Sequence, residues 1–152
     1  MKSDAKSTIE TGKAILGIEL GSTRIKAVLI DQENKPIAQG NHTWENQLVD
    51  GLWTYSIEAI WSGLQDCYAD LRSNVKNLYG IEIENLAAIG VSAMMHGYMP
   101  FNAKEEILVP FRTWRNTNTG RAAAALSDLF VYNIPLRWSI SCLLYTSPSP
   151  RD

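Results

Sequence analysis

The sequence lacks long apolar runs and clustered charge, and each absence argues against a class of partner. No apolar stretch approaches the ~18 residues of a membrane-spanning helix. No charged-then-apolar segment typical of a secretory signal opens the chain. Lysine and arginine number 14 against 16 acidic residues, without the clustered positive charge that nucleic-acid binding requires. We therefore expect neither a membrane nor a nucleic acid as a partner.

Cysteines are also scarce. The two that are present, Cys67 and Cys142, have no spacing typical of a metal site or a redox motif, which favours a reduced, cytoplasmic setting. Hydrophobic residues make up 45% of the 152 residues and charged residues 20%. This composition is typical of one globular domain with a buried core.

The apolar pattern predicts an α/β fold that begins with three strands. Ala14–Leu20 and Ile25–Asp31 are apolar runs typical of central strands, and Pro36–Trp44 alternates as an outer strand does. The short turns between them favour an antiparallel meander. Residues Met1–Lys13 are polar and are predicted to form a flexible lead-in.

A long helix and a further strand are predicted next. From a candidate N-cap at Ser56, apolar residues recur every three or four positions as far as Leu78, and Gly80 marks a stop. Leu86–Ser92 is again strand-like. The helix is therefore expected to be the crossover of a strand–helix–strand unit in a mixed sheet.

The last third of the chain is predicted to contain a hairpin, a helix and a non-native tail. Tyr98–Phe101 and Ile107–Val109 flank a polar turn, and Thr119–Tyr132 is alanine-rich and helical. Cys142–Asp152 has no amphipathic pattern and resembles the translation of a transposase adapter used in sequencing libraries. We therefore expect the natural protein to continue beyond Ser141; the alternative is an ordinary disordered tail.

The bend between the first two strands carries an unusual set of polar residues. Glu19 precedes it, Gly21 permits close approach of a ligand, and Ser22 and Thr23 add hydroxyl donors. Backbone amides and hydroxyls suit phosphate oxygens, and Mg²⁺ would reconcile Glu19 with the like charge of a phosphate. The bend predicts a nucleotide-phosphate and magnesium site, whereas the alternative is a tight hairpin with a solvent-facing glutamate. Neither the P-loop pattern nor G-x-G-x-x-G is present.

The segment GIELGSTRIKAVLID resembles the first phosphate motif of the FGGY carbohydrate kinases, members of the actin/hexokinase-like ATPase superfamily. The residues that match this motif are Gly17, Gly21, Ser22, Thr23 and Lys26. Glu19 stands where the family usually has aspartate, which keeps the charge and alters the geometry. The resemblance implies that Gly21, Ser22, Thr23 and Lys26 bind the ATP phosphates, with Glu19 at the metal.

The segment Ile89–Asn102, IGVSAMMHGYMPFN, is similar to a strand-end motif of the same family. Ser92, Met95, His96 and Gly97 match, and in the xylulokinase-like branch this segment lines the sugar pocket. An imidazole can donate and accept hydrogen bonds, and methionine provides an adaptable apolar wall. The resemblance implies sugar binding by the last three residues; the alternative for His96 is a buried histidine bonded to backbone.

The segment Phe111–Ala122, FRTWRNTNTGRA, resembles the tryptophan-containing sugar segment of the family. Trp114 fits the motif, while Asn116 and Asn118 replace its usual acid and arginine, which suggests an altered substrate preference. An aromatic ring stacks on a sugar face and an amide can bond two hydroxyls, so Trp114 and Asn116 are implied sugar contacts. The alternative is a surface loop with a core tryptophan. Three arginines are expected to be ordinary surface charge: Arg112, Arg115 and Arg121.

The resemblance extends over about residues 14–141. It implies an incomplete ribonuclease-H-like fold and an activity of the full-length protein: ATP- and Mg²⁺-dependent phosphorylation of a sugar or polyol, which is compatible with a homodimer. The family's catalytic base, an aspartate late in the first domain, has no counterpart here: Asp128 lies in the alanine-rich helix, and Asp152 belongs to the adapter-like tail. We therefore expect this chain to be inactive alone. The alternatives are a non-catalytic sensor or activator of the same superfamily, and a plain binding domain.

Overall fold

The computed structural model describes residues 2–117 and 120–131. The chain divides into two compact units, Met1–Trp114 and Arg115–Asp152, and the predictions made for residues 142–152 lie outside the described residues. The elements in chain order are α1 (Lys2–Glu10), β1 (Ile15–Leu20), β2 (Arg24–Ile30), β3 (Pro36–Thr43), β4 (Gln47–Val49), β5 (Leu52–Thr54), α2 (Ile57–Tyr79), β6 (Ala88–Ala93) and α3 (Gly120–Val131). Within the described part of the chain, no helix is both long and apolar enough to cross a membrane.

A four-stranded mixed sheet in the order β3–β2–β1–β6 forms the centre of the first unit. The first three strands are an antiparallel meander, and β6 runs parallel to β1. Helix α2 connects the meander to β6 as a crossover. The predicted α/β fold class, a mixed sheet with a three-strand meander and a crossover helix, is therefore confirmed.

Helix α2 begins and ends where its capping residues predict. The Ser56 side chain accepts a hydrogen bond from the Ala59 amide at 3.0 Å, and Gly80 adopts the left-handed conformation with φ 70°. The buried residues recur every four positions along one face: Gly63, Cys67, Leu71 and Val75. This face packs on β3 and β2, where the absence of a side chain at Gly40 admits the backbone of α2.

The core lies between α2 and one face of the sheet. Alternate residues of β1 and β2 face it and pair across the strands, Leu16 with Leu29, Ile18 with Ala27 and Leu20 with Ile25. The opposite face, which carries Glu19 and Lys26, bears an open depression of about 520 Å³. Along β2 the buried residues Ile25, Ala27 and Leu29 alternate with Arg24, Lys26, Val28 and Ile30, so the open face is charged at the start of the strand and apolar towards its end.

The first thirteen residues differ from the predicted flexible lead-in. They contain α1, whose Ile9 is fully buried in the core of the sheet. The helix ends at Glu10. In the turn that follows, Gly12 has a φ of 65° and its amide bonds to the Ile9 carbonyl at 3.0 Å. The apolar residues of this polar helix are Ala5 and Ile9, one turn apart, and both pack on the core. Two apolar residues are too sparse a pattern for periodicity to detect.

Two hairpins also differ from the sequence expectation. The pair β4–β5 was not predicted, although its turn, Asp50-Gly51 with positive φ at both residues, is typical of a type I′ hairpin. The predicted hairpin after β6 is present only as two isolated bridges, Tyr98↔Arg112 and Phe101↔Ile107. The prolines at positions 100 and 110 cannot donate to a ladder, which limits its length.

Candidate functional site

The turn Gly21–Thr23 connects β1 to β2 at the edge of the sheet. The Gly21 amide bonds to the Arg24 carbonyl at 3.0 Å. A methyl group on Gly21 would lie 2.9 Å from that carbonyl oxygen, so a larger residue would force the turn to shift. Glycine is therefore required here by the turn itself.

Two aromatic residues support this turn from within the protein. Trp44 donates its indole N–H to the Gly21 carbonyl at 2.8 Å and its backbone N–H to the Thr23 carbonyl at 3.2 Å. The Tyr55 hydroxyl donates to the Ser22 carbonyl at 2.5 Å. All three carbonyls of the turn are thus held by donors of the protein.

These bonds determine where the turn amides point. Every described peptide bond is trans, so the C=O and N–H of each peptide unit point in opposite directions. Because the carbonyls of Gly21 and Ser22 face Trp44 and Tyr55, the amides of Ser22 and Thr23 point away from those side chains. Successive amides pointing the same way form an anion-binding concavity.

Glu19 lies on the open face of the sheet, directly across from Lys26. The Glu19 Oε2 and Lys26 Nζ atoms are 3.7 Å apart, and both side chains are about half exposed. Glu19 is therefore neither buried nor fully solvent-facing. Among the residues that the structure describes, no group of three or more His, Cys, Asp or Glu could hold a metal ion. A single carboxylate fits Mg²⁺, which keeps waters and takes its other oxygens from phosphates.

His96 and Trp114 lie together in the first unit. Their rings are 6.2 Å apart, edge to face at 70°. His96 is exposed, Trp114 is 62% exposed and the preceding Met95 is 77% exposed. The alternatives of a buried histidine and a core tryptophan are therefore both wrong. Asn116 belongs to the second unit, and Asn118 lies outside the described residues.

Gly97 directly follows His96 and has a left-handed backbone with φ 128°. A side chain at Gly97 would overlap the ring of Phe111, which lies against it. The neighbouring residues Tyr98 and Arg112 exchange two backbone hydrogen bonds, both of 3.1 Å. Gly97 is thus required both by conformation and by close approach.

Arg112 is not ordinary surface charge. It is half-buried, and its Nε is buried without a hydrogen-bond partner in the described part of the chain. Arg115 and Arg121 are exposed, as expected of surface charge.

The topology places the turn and the exposed pair at the same edge of the sheet. Leu20 at the end of β1 pairs with Ala93 at the end of β6, and the Met94 amide bonds to the Leu20 carbonyl at 3.2 Å. The two strands are parallel, so the segments after their carboxyl ends begin side by side. Ligand sites of α/β sheets form at such strand ends.

The comparison with protein families decides the membership of the chain. The model of the FGGY family of carbohydrate kinases, N-terminal domain, matches residues 14–137. The chain belongs to the FGGY family of carbohydrate kinases. Its fold is accordingly that of the actin-like ATPases, in incomplete form.

Solved structures of sugar kinases share this fold. A xylulose kinase from Lactobacillus acidophilus is 23% identical to this chain, with a TM-score of 0.62. The match covers 77% of this chain and 23% of the kinase. A gluconate kinase from the same organism is also 23% identical, with a TM-score of 0.63 and the same coverage. Glycerol kinase from Plasmodium falciparum is 16% identical, with a TM-score of 0.54; 76% of this chain covers 23% of it.

The matched part of the chain therefore spans less than a quarter of the length of these kinases. No curated protein matches the chain at a significant level.

Proposed function

We propose that the full-length protein is an ATP-dependent carbohydrate kinase that transfers the γ-phosphoryl group of ATP to a hydroxyl of a sugar or polyol. The observation that carries the proposal is the pair of amides at Ser22 and Thr23, which point away from their aromatic support at the edge where His96 and Trp114 are exposed. Membership of the FGGY family supports the same class of reaction.

The β1–β2 turn would bind the nucleotide phosphates. The amides and hydroxyls of Ser22 and Thr23 would donate to phosphate oxygens, Gly21 would keep the turn narrow, and Lys26 would add positive charge. Glu19 would hold Mg²⁺, which when bound neutralises charge on the transferred phosphoryl group. Its ion pair with Lys26 can rearrange for this purpose, because exposed pairs contribute only about 0–1 kcal/mol.

The segment after β6 would bind the sugar. Trp114 would stack on the apolar face of the ring, and His96, held at its edge, would donate to or accept from a hydroxyl. Met95 and Gly97 would complete the wall. We place this reaction in the cytoplasm, where ATP is available.

We propose that the 152-residue chain binds ligands without turnover. Phosphoryl transfer needs a carboxylate that accepts the proton of the attacking hydroxyl. Asp128 is exposed on α3, on the second unit. This chain matches only 23% of the length of the xylulose and gluconate kinases of the same fold. We therefore expect the base in a part of the full-length protein that lies outside the matched residues.

The test uses the complete protein with ATP and Mg²⁺ against a panel of ketopentoses, gluconate and glycerol. We expect ADP formation that depends on one class of acceptor, and none from the 152-residue chain. A sensor or activator would instead be stabilised thermally by Mg-ADP and a sugar without forming product. Failure of every acceptor to give product, with no stabilisation by Mg-ADP, would overturn the proposal.

A further inference from the structure

We propose that Trp44, Tyr55 and Phe111 form a rigid aromatic link between the two proposed sites, with Tyr55 as its central positioning residue. The link couples the turn Gly21–Thr23, called the phosphate turn below, to residues 94–114, called the sugar segment. The inference rests on the proposed function, since it assigns ligands to the two ends. Trp44 and Tyr55 lie outside the segments that carried the family resemblance, and Phe111 is the first residue of the third of these segments.

One end of the aromatic link holds the phosphate turn. Trp44 and Tyr55 donate side-chain hydrogen bonds to consecutive carbonyls, those of Gly21 and Ser22. Both side chains are nearly inaccessible, at 8% and 4% exposed. A shift of either ring therefore changes the direction in which the turn amides point.

The middle of the aromatic link is a stack of three rings. The centroids of Trp44 and Tyr55 are 4.4 Å apart and those of Tyr55 and Phe111 are 5.9 Å apart, each pair inclined by 27°. The Tyr55 ring is the middle one of the three, because it stacks on Trp44 and also on Phe111. Close-packed rings transmit displacement because the interior offers little free volume.

The other end lies under the sugar segment. The Phe111 ring fills the space that a side chain on Gly97 would occupy. Gly97 follows His96 directly, and Phe111 precedes Arg112, whose backbone is bonded to Tyr98. A displaced Phe111 would therefore move the backbone that carries His96.

Coupling follows from these contacts. A nucleotide that fixes the turn would also fix the aromatic link and with it the segment around Gly97, so that the sugar site is ordered before the sugar binds. Linkage requires the reciprocal effect, in which a bound sugar raises the affinity for the nucleotide by the same factor.

The first experiment measures this factor in the complete protein. Tyr55→Phe retains the ring stack and removes only the hydroxyl that holds Ser22. We expect the enhancement of sugar affinity by Mg-ADP, measured by calorimetry, to fall by about fivefold or more, with the KM for ATP raised and kcat less affected.

The matched control is Tyr79→Phe. The Tyr79 hydroxyl also donates to a backbone carbonyl, that of Ile37, at 2.9 Å and in a part-buried setting, but it lies outside the aromatic link. Both variants should lose similar thermal stability, and only Tyr55→Phe should lose coupling. Equal coupling in the two variants and the wild type would overturn the proposal.

The second experiment needs no ligand and uses the 152-residue chain. Phe111→Leu interrupts the stack at its sugar end, so we expect faster hydrogen exchange of the Gly21 amide, which is bonded to Arg24. Phe101→Leu is the control, because Phe101 is half exposed in the same segment and outside the stack. Acceleration confined to residues 97–113 would contradict the link.

The two experiments separate the failure of the link from the failure of the function. If the wild-type protein binds and phosphorylates a sugar while Tyr55→Phe behaves as Tyr79→Phe does, the link is wrong and the kinase assignment stands. If no sugar or nucleotide binds, the kinase assignment is wrong, and the proposal that couples its two sites is overturned with it, whatever the exchange of Gly21 shows.

Discussion

The phosphate turn and the sugar segment follow neighbouring strands, yet they are held in different ways. The turn lies between two fully paired strands, and each of its three carbonyls accepts a hydrogen bond from a defined donor. The segment 94–114 has two isolated bridges, and its large side chains are mostly exposed. A ladder of hydrogen bonds fixes the turn that we propose as the phosphate site, whereas the segment that we propose as the sugar site depends on a few packed contacts such as Phe111 on Gly97.

The largest expected effect is on the free energy of unfolding. It should differ between a substitution in the core that supports the turn and one in the sugar segment. Leu71 on α2 is fully buried, and Leu108 is 60% exposed. Leu71→Ala should lower the free energy of unfolding by about 3 kcal/mol, within the range for buried leucines. Leu108→Ala should change it by less than about 0.5 kcal/mol. Urea denaturation of both variants measures the difference; similar losses would mean that the sugar segment is as well packed as the core.

A smaller effect is expected from a methyl group in the turn. Gly21→Ala places Cβ 2.9 Å from the Arg24 carbonyl oxygen, whereas at Gly90 nothing lies within 4 Å. Gly21→Ala should cost about 1–2 kcal/mol and weaken nucleotide binding, because the turn must shift. Gly90→Ala is the control, and its free energy of unfolding should stay within about 0.5 kcal/mol of the wild type. Unchanged nucleotide affinity in Gly21→Ala would argue against the turn as the phosphate site.

The smallest effect is expected at Glu82, which lies in neither region. It gives a reference for the size of the other two effects. Hydrogen bonds from Lys76, at 2.8 Å, and from Arg72 lower the pKa of Glu82 from its usual 4.5. A lowered folded-state pKa contributes stability above the unfolded-state value, and this contribution is lost as the pH falls through the folded-state pKa. Glu82→Gln should therefore slightly flatten the loss of thermal stability below about pH 4.5. An identical acid profile would show that these exposed contacts contribute nothing.

The difference between the regions also explains what the sequence could predict. The strands of the meander and both ends of α2 follow from local patterns: two apolar runs, an alternating third strand, an N-cap serine and a stop glycine. The roles of Trp44 and Tyr55 do not, because their side chains bond to carbonyls 23 and 33 residues away along the chain. A side chain that bonds to a distant backbone atom leaves no periodicity in the sequence.

Exposure in the sugar segment could not be decided from the sequence either. A histidine and a tryptophan after a strand suit a core as well as a pocket, and only the packing of the segment shows that His96 and Trp114 lie open together. The Asp50-Gly51 turn of the β4–β5 hairpin was, by contrast, a local signal that could have been found.

The most direct test of the account is a nuclear magnetic resonance titration of the ¹⁵N-labelled chain with ADP, with and without Mg²⁺. The account predicts that the amide resonances of Ser22 and Thr23 shift among the most strongly, that Mg²⁺ increases the affinity, and that Glu19→Gln removes this increase. Resonances of Ser22 and Thr23 that stay in place while others move, or a Mg²⁺ effect that is unchanged in Glu19→Gln, would contradict it.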